Sequence, residues 1–235
     1  MSYRVHFSID DVLHSFLWLE RNDKESIFDA DTFLLAKWLY ENYGVNTTYN
    51  CFYQSQRGSL RDVSDKYRKQ IEDSIFLKFS FHGKDDITDY NNVGYGETAS
   101  DYKQTTAEII RIAGEDALSD VVRLHYFHGS AATVRALEDL GVKLLLTADD
   151  DRGSYDLKPD EEKTNMTGIY YKAGCKIGYK STDIRLERFS VEQLSSYDYD
   201  REKTLVVFTH ENLAARQETK EKLSALMRHI GETRV

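Results

Sequence analysis

The chain has 235 residues, 40% hydrophobic and 12% aromatic, enough to bury the core of one large α/β domain spanning residues 1–235. A formal net charge of −9 at pH 7, with no stripe of basic residues, excludes nucleic acid as a partner. No stretch is long and apolar enough to span a membrane and no leader-like segment opens the chain, so a cytoplasmic protein is expected.

"YRVHFSI" predicts a buried strand that ends at Asp10 and Asp11. "DADTFLLAKWLYENYG" predicts a helix with Leu34, Leu35, Trp38 and Leu39 on its apolar face, Asp29 or Asp31 as N-cap and Gly44 as terminator. "VNTTYNCFY" follows as a strand rich in β-branched and aromatic residues. A polar helix near residues 64–73 leads to the strand "FLKFSFHG", which stops at His82 before Lys84, Asp85 and Asp86.

Beyond a loop rich in Gly, Asn and Tyr, "SDYKQTTAEIIRIAG" predicts a helix and "DVVRLHYF" a strand. "AATVRALEDLG" and "VKLLLTA" repeat the helix–strand alternation, and such alternation argues for parallel βαβ units. A charged loop from Asp149 holds the single proline, Pro159. "GIYYKAGCKIGY" predicts a β-hairpin closed near Ala173–Gly174. "TDIRLERF" and "KTLVVFTH" are two further strands, and "AARQETKEKLSALMRHI" a terminal amphipathic helix. Cys51 and Cys175 each stand alone, as structural thiols in a reducing compartment would.

In parallel α/β proteins chemistry gathers at the C-terminal ends of strands. Those ends carry Asp10 and Asp11, His82, Arg123 with His125 and His128, Asp149 to Asp151, and His210 with Glu211. Singly, each has an ordinary reading as a helix cap, a hydrogen-bonded turn residue or a surface pair. Their recurrence at successive strand ends argues for a site.

"HFSIDDV", "FSFHGKDD", "VVRLHYF" and "TLVVFTHE", in this order, resemble the successive motifs of the polysaccharide deacetylase superfamily, carbohydrate esterase family four. The resemblance runs from Tyr3 to about His210. It implies an α/β fold, a distorted (β/α) barrel of about seven parallel strands. It also implies a hydrolase that removes an N- or O-acyl group from a carbohydrate-derived small molecule with the help of one divalent metal ion, zinc foremost. Carried across, Asp10 matches the general base and Asp11 and His82 match metal ligands. Arg123 matches the arginine that orients the base, and His210 the general acid. An aspartate beside an arginine stays ionised, and a histidine can protonate a leaving group near neutral pH. Arg123 is therefore expected to pair with Asp10 or with an acid of the Asp149–Asp151 run.

Three positions depart from the family pattern. Asp86 stands where a second metal histidine belongs, four residues after His82, making Asp86 the expected third ligand and His128 its alternative. His125 replaces a proline two residues after Arg123. "TADDDRGSY" offers an acid but no tryptophan; Trp18 and Trp38 both lie near the first helices, so no tryptophan platform is available for sugars. The tyrosine-rich loop is a candidate source of substrate contacts. In "STDIRLERF", Thr182, Asp183, Arg185 and Glu187 alternate with Ile184 and Leu186, leaving two readings: an inward face at the site or an exposed edge of self-paired charges. A second functional reading is a non-catalytic descendant of the same fold that binds a sugar or a protein.

Overall fold

The computed structural model describes residues 5–150, 152–200 and 203–232. In chain order, β1 (Val5–Val12) leads to α1 (His14–Arg21), α2 (Asp31–Tyr43) and β2 (Thr47–Phe52). A small hairpin, β3 (Gln54–Ser55) and β4 (Gly58–Ser59), precedes α3 (Arg68–Glu72), β5 (Leu77–Gly83) and α4 (Tyr95–Ala113). Next come β6 (Val121–Val122), α5 (Ala131–Asp139), β7 (Leu144–Thr147), α6 (Pro159–Thr167) and the hairpin β8 (Tyr170–Tyr171) with β9 (Gly178–Ser181). The chain closes with β10 (Ile184–Arg185), α7 (Val191–Leu194), β11 (Leu205–His210), α8 (Glu211–Ala214) and α9 (Gln217–Glu232). Among the described residues no helix is long and apolar enough to cross a membrane.

The central sheet has five parallel strands in the order β10-β11-β1-β2-β5. A second sheet, β6-β7-β9-β8, is parallel except for the β8–β9 hairpin. Two seams join the sheets. At one, Phe79 bridges Leu118 in parallel and accepts a bond from Ser119 N at 2.8 Å. At the other, Thr182 N bonds Thr147 O of the second sheet at 3.2 Å, while Asp183 N bonds Val206 O of the first at 3.0 Å. The chain thus changes sheets between β9 and β10. This is the α/β architecture expected, with regular strand pairing interrupted at both seams.

Every residue of β2 is buried, as a strand flanked by parallel neighbours and covered on both faces requires. Phe16, Phe33, Tyr49 and Phe79 pack their rings at 4.9 to 6.3 Å in the layer between sheet and helices. Helix α2 buries Thr32, Phe33, Leu35, Ala36 and Leu39, whereas Leu34, expected inside, is exposed and Trp38 is half-buried. Phe33 takes the central place on that face through its contact with Tyr49, which turns Leu34 outward. The helix N-cap is Ala30; Asp29 instead closes the preceding turn with Ser26, and Asp31 enters the first turn of the helix. Gly44 ends the helix at φ +67°, a left-handed conformation that favours glycine.

Candidate active site

β1 and β11 are neighbours in register, so Asp10 lies directly opposite His210. Against β2, the pairing of β1 slips between Ile9 and Val12, and within that bulge Asp11 has φ +65°. Few residues other than glycine adopt such a conformation, and aspartate is among those that tolerate it. In a regular strand Asp10 and Asp11 would point to opposite faces. The bulge lets both carboxylates serve one site.

The Asp11 Oδ1 atom lies 3.1 Å from His82 Nε2 and 3.3 Å from His125 Nδ1, and the two ring nitrogens are 3.4 Å apart. One carboxylate oxygen and two imidazole nitrogens therefore lie within 4.8 Å of one another, an arrangement that can hold one metal ion. His82 Nδ1 is 2.5 Å from the Arg123 carbonyl oxygen. A carbonyl only accepts, so Nδ1 carries the proton and Nε2 turns its lone pair toward Asp11 and His125. Phe52 packs against both imidazoles, at 4.9 and 5.0 Å. Burial opposes ionisation of Asp11, but hydrogen bonds from His125 and His82 outweigh it and hold the carboxyl well below the usual carboxylate range.

Asp86 is not part of this group. Beyond Gly83 the chain bends, and Asp85 stabilises the bend by accepting bonds from Ile87 N, Thr88 N and Thr88 Oγ1. A four-residue spacing aligns two side chains on a helix or on a continued strand, and neither follows His82 here, because β5 ends at Gly83. Asp86 is exposed and lines a neighbouring cavity of about 250 Å³ with Asp11, Phe52, Gln54 and Glu211. His128, the alternative, bonds Asp89 at 2.8 Å instead. His125 takes the place because the short strand β6 passes into a tight turn, in which Tyr126 (φ +58°) and Phe127 (φ +62°) are both left-handed.

Arg123 is fully buried and pairs with Asp10, while Asp149 and Asp150 of the acidic run pair with other arginines. Its Nη1 reaches Asp10 Oδ1 at 3.1 Å and Ser8 Oγ at 2.7 Å, and its Nη2 reaches Thr182 Oγ1 at 3.1 Å. Asn50 donates to the same Asp10 oxygen at 2.6 Å, and the Phe208 ring lies 4.3 Å from the guanidinium carbon. Asp10 is 3% exposed, and a carboxylate so buried needs such compensation to remain charged.

His210 Nδ1 lies 3.2 Å from Glu187 Oε1, which also accepts from Thr209 Oγ1 at 2.6 Å and His210 N at 3.0 Å. Burial alone would lower the pKa of His210; the Glu187 bond and the charges of Asp10, Glu187 and Asp11 outweigh it and raise the value. Burial likewise opposes ionisation of Glu187, yet the bonds from His210 and Thr209 bring its pKa down to about 2. A cavity of about 140 Å³ is lined by Asp10, His82, Arg123, His125 and His210, so Asp10, His210 and both imidazoles of the cluster share one space.

The two roles that sequence reasoning did not assign belong to His125 and Glu187. His125 stands among the strand-end residues and in a proline's place, and those two signals mark it without assigning it a ligand's role. Glu187 lies on the alternating stretch 182–187, whose inward reading describes Thr182, Arg185 and Glu187 but not Asp183, which accepts from Val206 N at 2.7 Å. Asp149 and Asp150 are engaged by Arg185, Arg188 and Arg152 rather than by His210 or Arg123; Asp151 lies outside the described residues. The tyrosine-rich loop does not line this cavity: Tyr90 is buried and bonds Asp101, and Tyr95 bonds Asp139.

No protein-family profile and no curated protein matches the chain. Among solved structures, the carbohydrate esterase domain of a multidomain xylanase from the hindgut metagenome of Trinervitermes trinervoides matches at TM-score 0.50 and 13% identity. That match covers 99% of this chain and 83% of that one. A family 4 acetyl xylan esterase from Clostridium thermocellum, in complex with a cobalt ion, matches at TM-score 0.54 and 11% identity, covering 98% of this chain and 84% of that chain. A family four pseudoenzyme from Bacillus anthracis matches at TM-score 0.57 and 10% identity. This chain aligns over 99% of its length with 62% of that chain. The fold is that of the carbohydrate esterase family four deacetylases.

Proposed function

We propose that the protein is a metal-dependent hydrolase that removes an acyl group from a carbohydrate-derived substrate. The observation that carries this reading is convergence on one cavity. Both imidazoles of a cluster able to hold a metal, a carboxylate paired with a buried arginine and a histidine kept basic by a glutamate all meet there. Asp11, His82 and His125 would hold the ion, and a set of one carboxylate and two imidazoles suits zinc. When bound, the ion supplies Lewis acidity to the acyl carbonyl and to the attacking water.

Asp10 accepts the proton of the water as its oxygen bonds to the acyl carbon. Arg123 pairs with Asp10 and fixes its direction through Nη1. His210 then delivers a proton to the departing nitrogen or oxygen as the acyl bond breaks. Glu187, by accepting the Nδ1 proton of His210, leaves Nε2 as the nitrogen that serves the leaving group.

The test is hydrolysis of acetylated sugars and aryl acetates by protein loaded with zinc, against protein stripped with chelator. Acetate release that depends on metal and on Asp10 supports the reading. Tight zinc binding with no turnover across the panel supports the second reading, a non-catalytic relative. Likeness to the Bacillus anthracis pseudoenzyme favours that one.

A further inference from the structure

Thr182 and Glu187 have partners at the site, Arg123 and His210 respectively, but Arg185 between them serves neither. Its guanidinium carbon lies 5.0 Å from the Phe208 ring and 6.0 Å from the Phe127 ring. Nη2 donates to Asp149 Oδ1 at 2.7 Å. Nε is buried without an acceptor, and Nη1 donates to nothing among the described residues. A guanidinium offers five N–H donors in a planar fork, so most of the capacity of Arg185 is unused.

Arg185 lines the same cavity as Asp10 and His210. Three guanidiniums and three imidazoles line that cavity against the single carboxylate of Asp10, which Arg123 and Asn50 already hold. Behind the wall, Arg152, Arg185 and Arg188 share Asp149 and Asp150 among the described residues. The lining guanidiniums are matched by Asp10, Asp149 and Asp150, so what points to an anion is the spare donor capacity of Arg185 rather than net charge.

We propose that Arg185 binds an oxyanion group carried by the substrate, a carboxylate or a phosphate, so that the acylated compound is acidic rather than a neutral sugar. The word substrate rests on the hydrolase reading; the anion site itself does not. The volume of about 140 Å³ suits one small charged group beside the acyl bond. Charge-assisted bonds from a guanidinium confined between two rings give such a group orientation as well as affinity.

Calorimetric titration of the full-length, chelator-stripped protein with benzoate, phenyl phosphate and neutral benzyl alcohol tests the site without metal. One or both anions are expected to bind and benzyl alcohol is not, and the stronger anion identifies the group. Arg185→Gln should weaken that binding at least tenfold. Arg188→Gln, which disturbs the same Asp149 without lining the cavity, should leave it within twofold. A wild-type protein that binds neither anion, or an Arg185→Gln protein with the wild-type melting curve and unchanged binding, overturns the proposal. With zinc loaded, the preference in kcat/KM for 4-acetoxybenzoate over its methyl ester should fall tenfold in Arg185→Gln. Anion binding that depends on Arg185, with no hydrolysis of either ester, sustains the anion site and refutes the hydrolase reading alone.

Discussion

His82 donates its Nδ1 proton to the main-chain oxygen of Arg123 across 2.5 Å, so the residue whose side chain holds Asp10 also aims an imidazole of the cluster able to hold a metal. Two residues further on, the same segment supplies His125. The short stretch 123–125 therefore contributes to both halves of the site, which makes the choice of third ligand testable. His125→Ala should weaken zinc binding by at least about 100-fold, beyond the tenfold to hundredfold typical of residues that only support a ligand. Asp86→Ala should leave affinity within about threefold, as loss of an exposed carboxylate outside the cluster would. Calorimetric titration of both variants decides it; a larger loss in Asp86→Ala would restore Asp86 as a ligand.

The complete burial of Arg123 alters what its removal should do. Arg123→Ala leaves the Asp10 carboxylate in the core without its cation, at a cost of about 3–5 kcal/mol in stability. Activity and folding should therefore fall together. Adding Asp10→Asn removes the stranded charge, so the double variant should recover part of the stability and none of the activity. Urea unfolding of the single and double variants measures this. A single variant with wild-type stability would show that Asp10 is solvated in solution.

The strand ends were legible because a parallel α/β pattern fixes where loops emerge, and Asp10, Asp11, His82, Arg123 and His210 are all strand-end residues. His125 was not assigned because its position depends on two left-handed residues, Tyr126 and Phe127, in a turn that no hydrophobic period describes. Nor does alternation along 182–187 reveal that the chain changes sheets at Thr182 and Asp183, which carries Glu187 to His210. Leu34 illustrates the same limit in a helix, where several apolar residues compete for one buried face and packing selects Phe33.

The His210–Glu187 pair sets a pH dependence whose sign follows from the shifts. His210 must be protonated to act as an acid, and its pKa is raised, so activity should persist above pH 6.5 and fall as pH rises through the shifted value. Glu187→Gln removes the charge that raises it while burial remains, so the alkaline limb of kcat should move to lower pH. Stability follows the same pair. Glu187, at about 2 against an ordinary 4.5, contributes above pH 4.5 and loses its contribution as pH falls toward 2. His210 contributes below pH 6.5 and loses its contribution as pH rises through its raised pKa. The variant should thus be most destabilised between pH 4.5 and 6.5 and approach wild type near pH 2. An unmoved alkaline limb in Glu187→Gln would remove Glu187 from the control of His210.

Glu211, the residue after His210, ties the end of β11 to the start of α1. Its Oε1 accepts from Ser15 N at 2.7 Å, and its Oε2 from His14 N at 3.0 Å and Leu13 N at 3.4 Å. Helix α1 has no side-chain cap of its own at Leu13, so this carboxylate satisfies amide protons that the helix leaves unpaired. No cation pairs with Glu211 among the described residues, and the positive end of the helix dipole compensates its charge instead. Because α1 begins within three residues of Asp11, the contact also fixes the bulge that carries Asp11 relative to His210. Glu211→Ala should cost about 1–2 kcal/mol, the upper range for a lost helix cap. It should also speed amide exchange at His14 and Ser15. Glu211→Gln keeps one acceptor oxygen and should lose less. If Glu211 holds the geometry as well as the helix, zinc affinity in Glu211→Ala should fall although no ligand is touched. A variant that loses stability and keeps wild-type zinc affinity would confine Glu211 to capping α1.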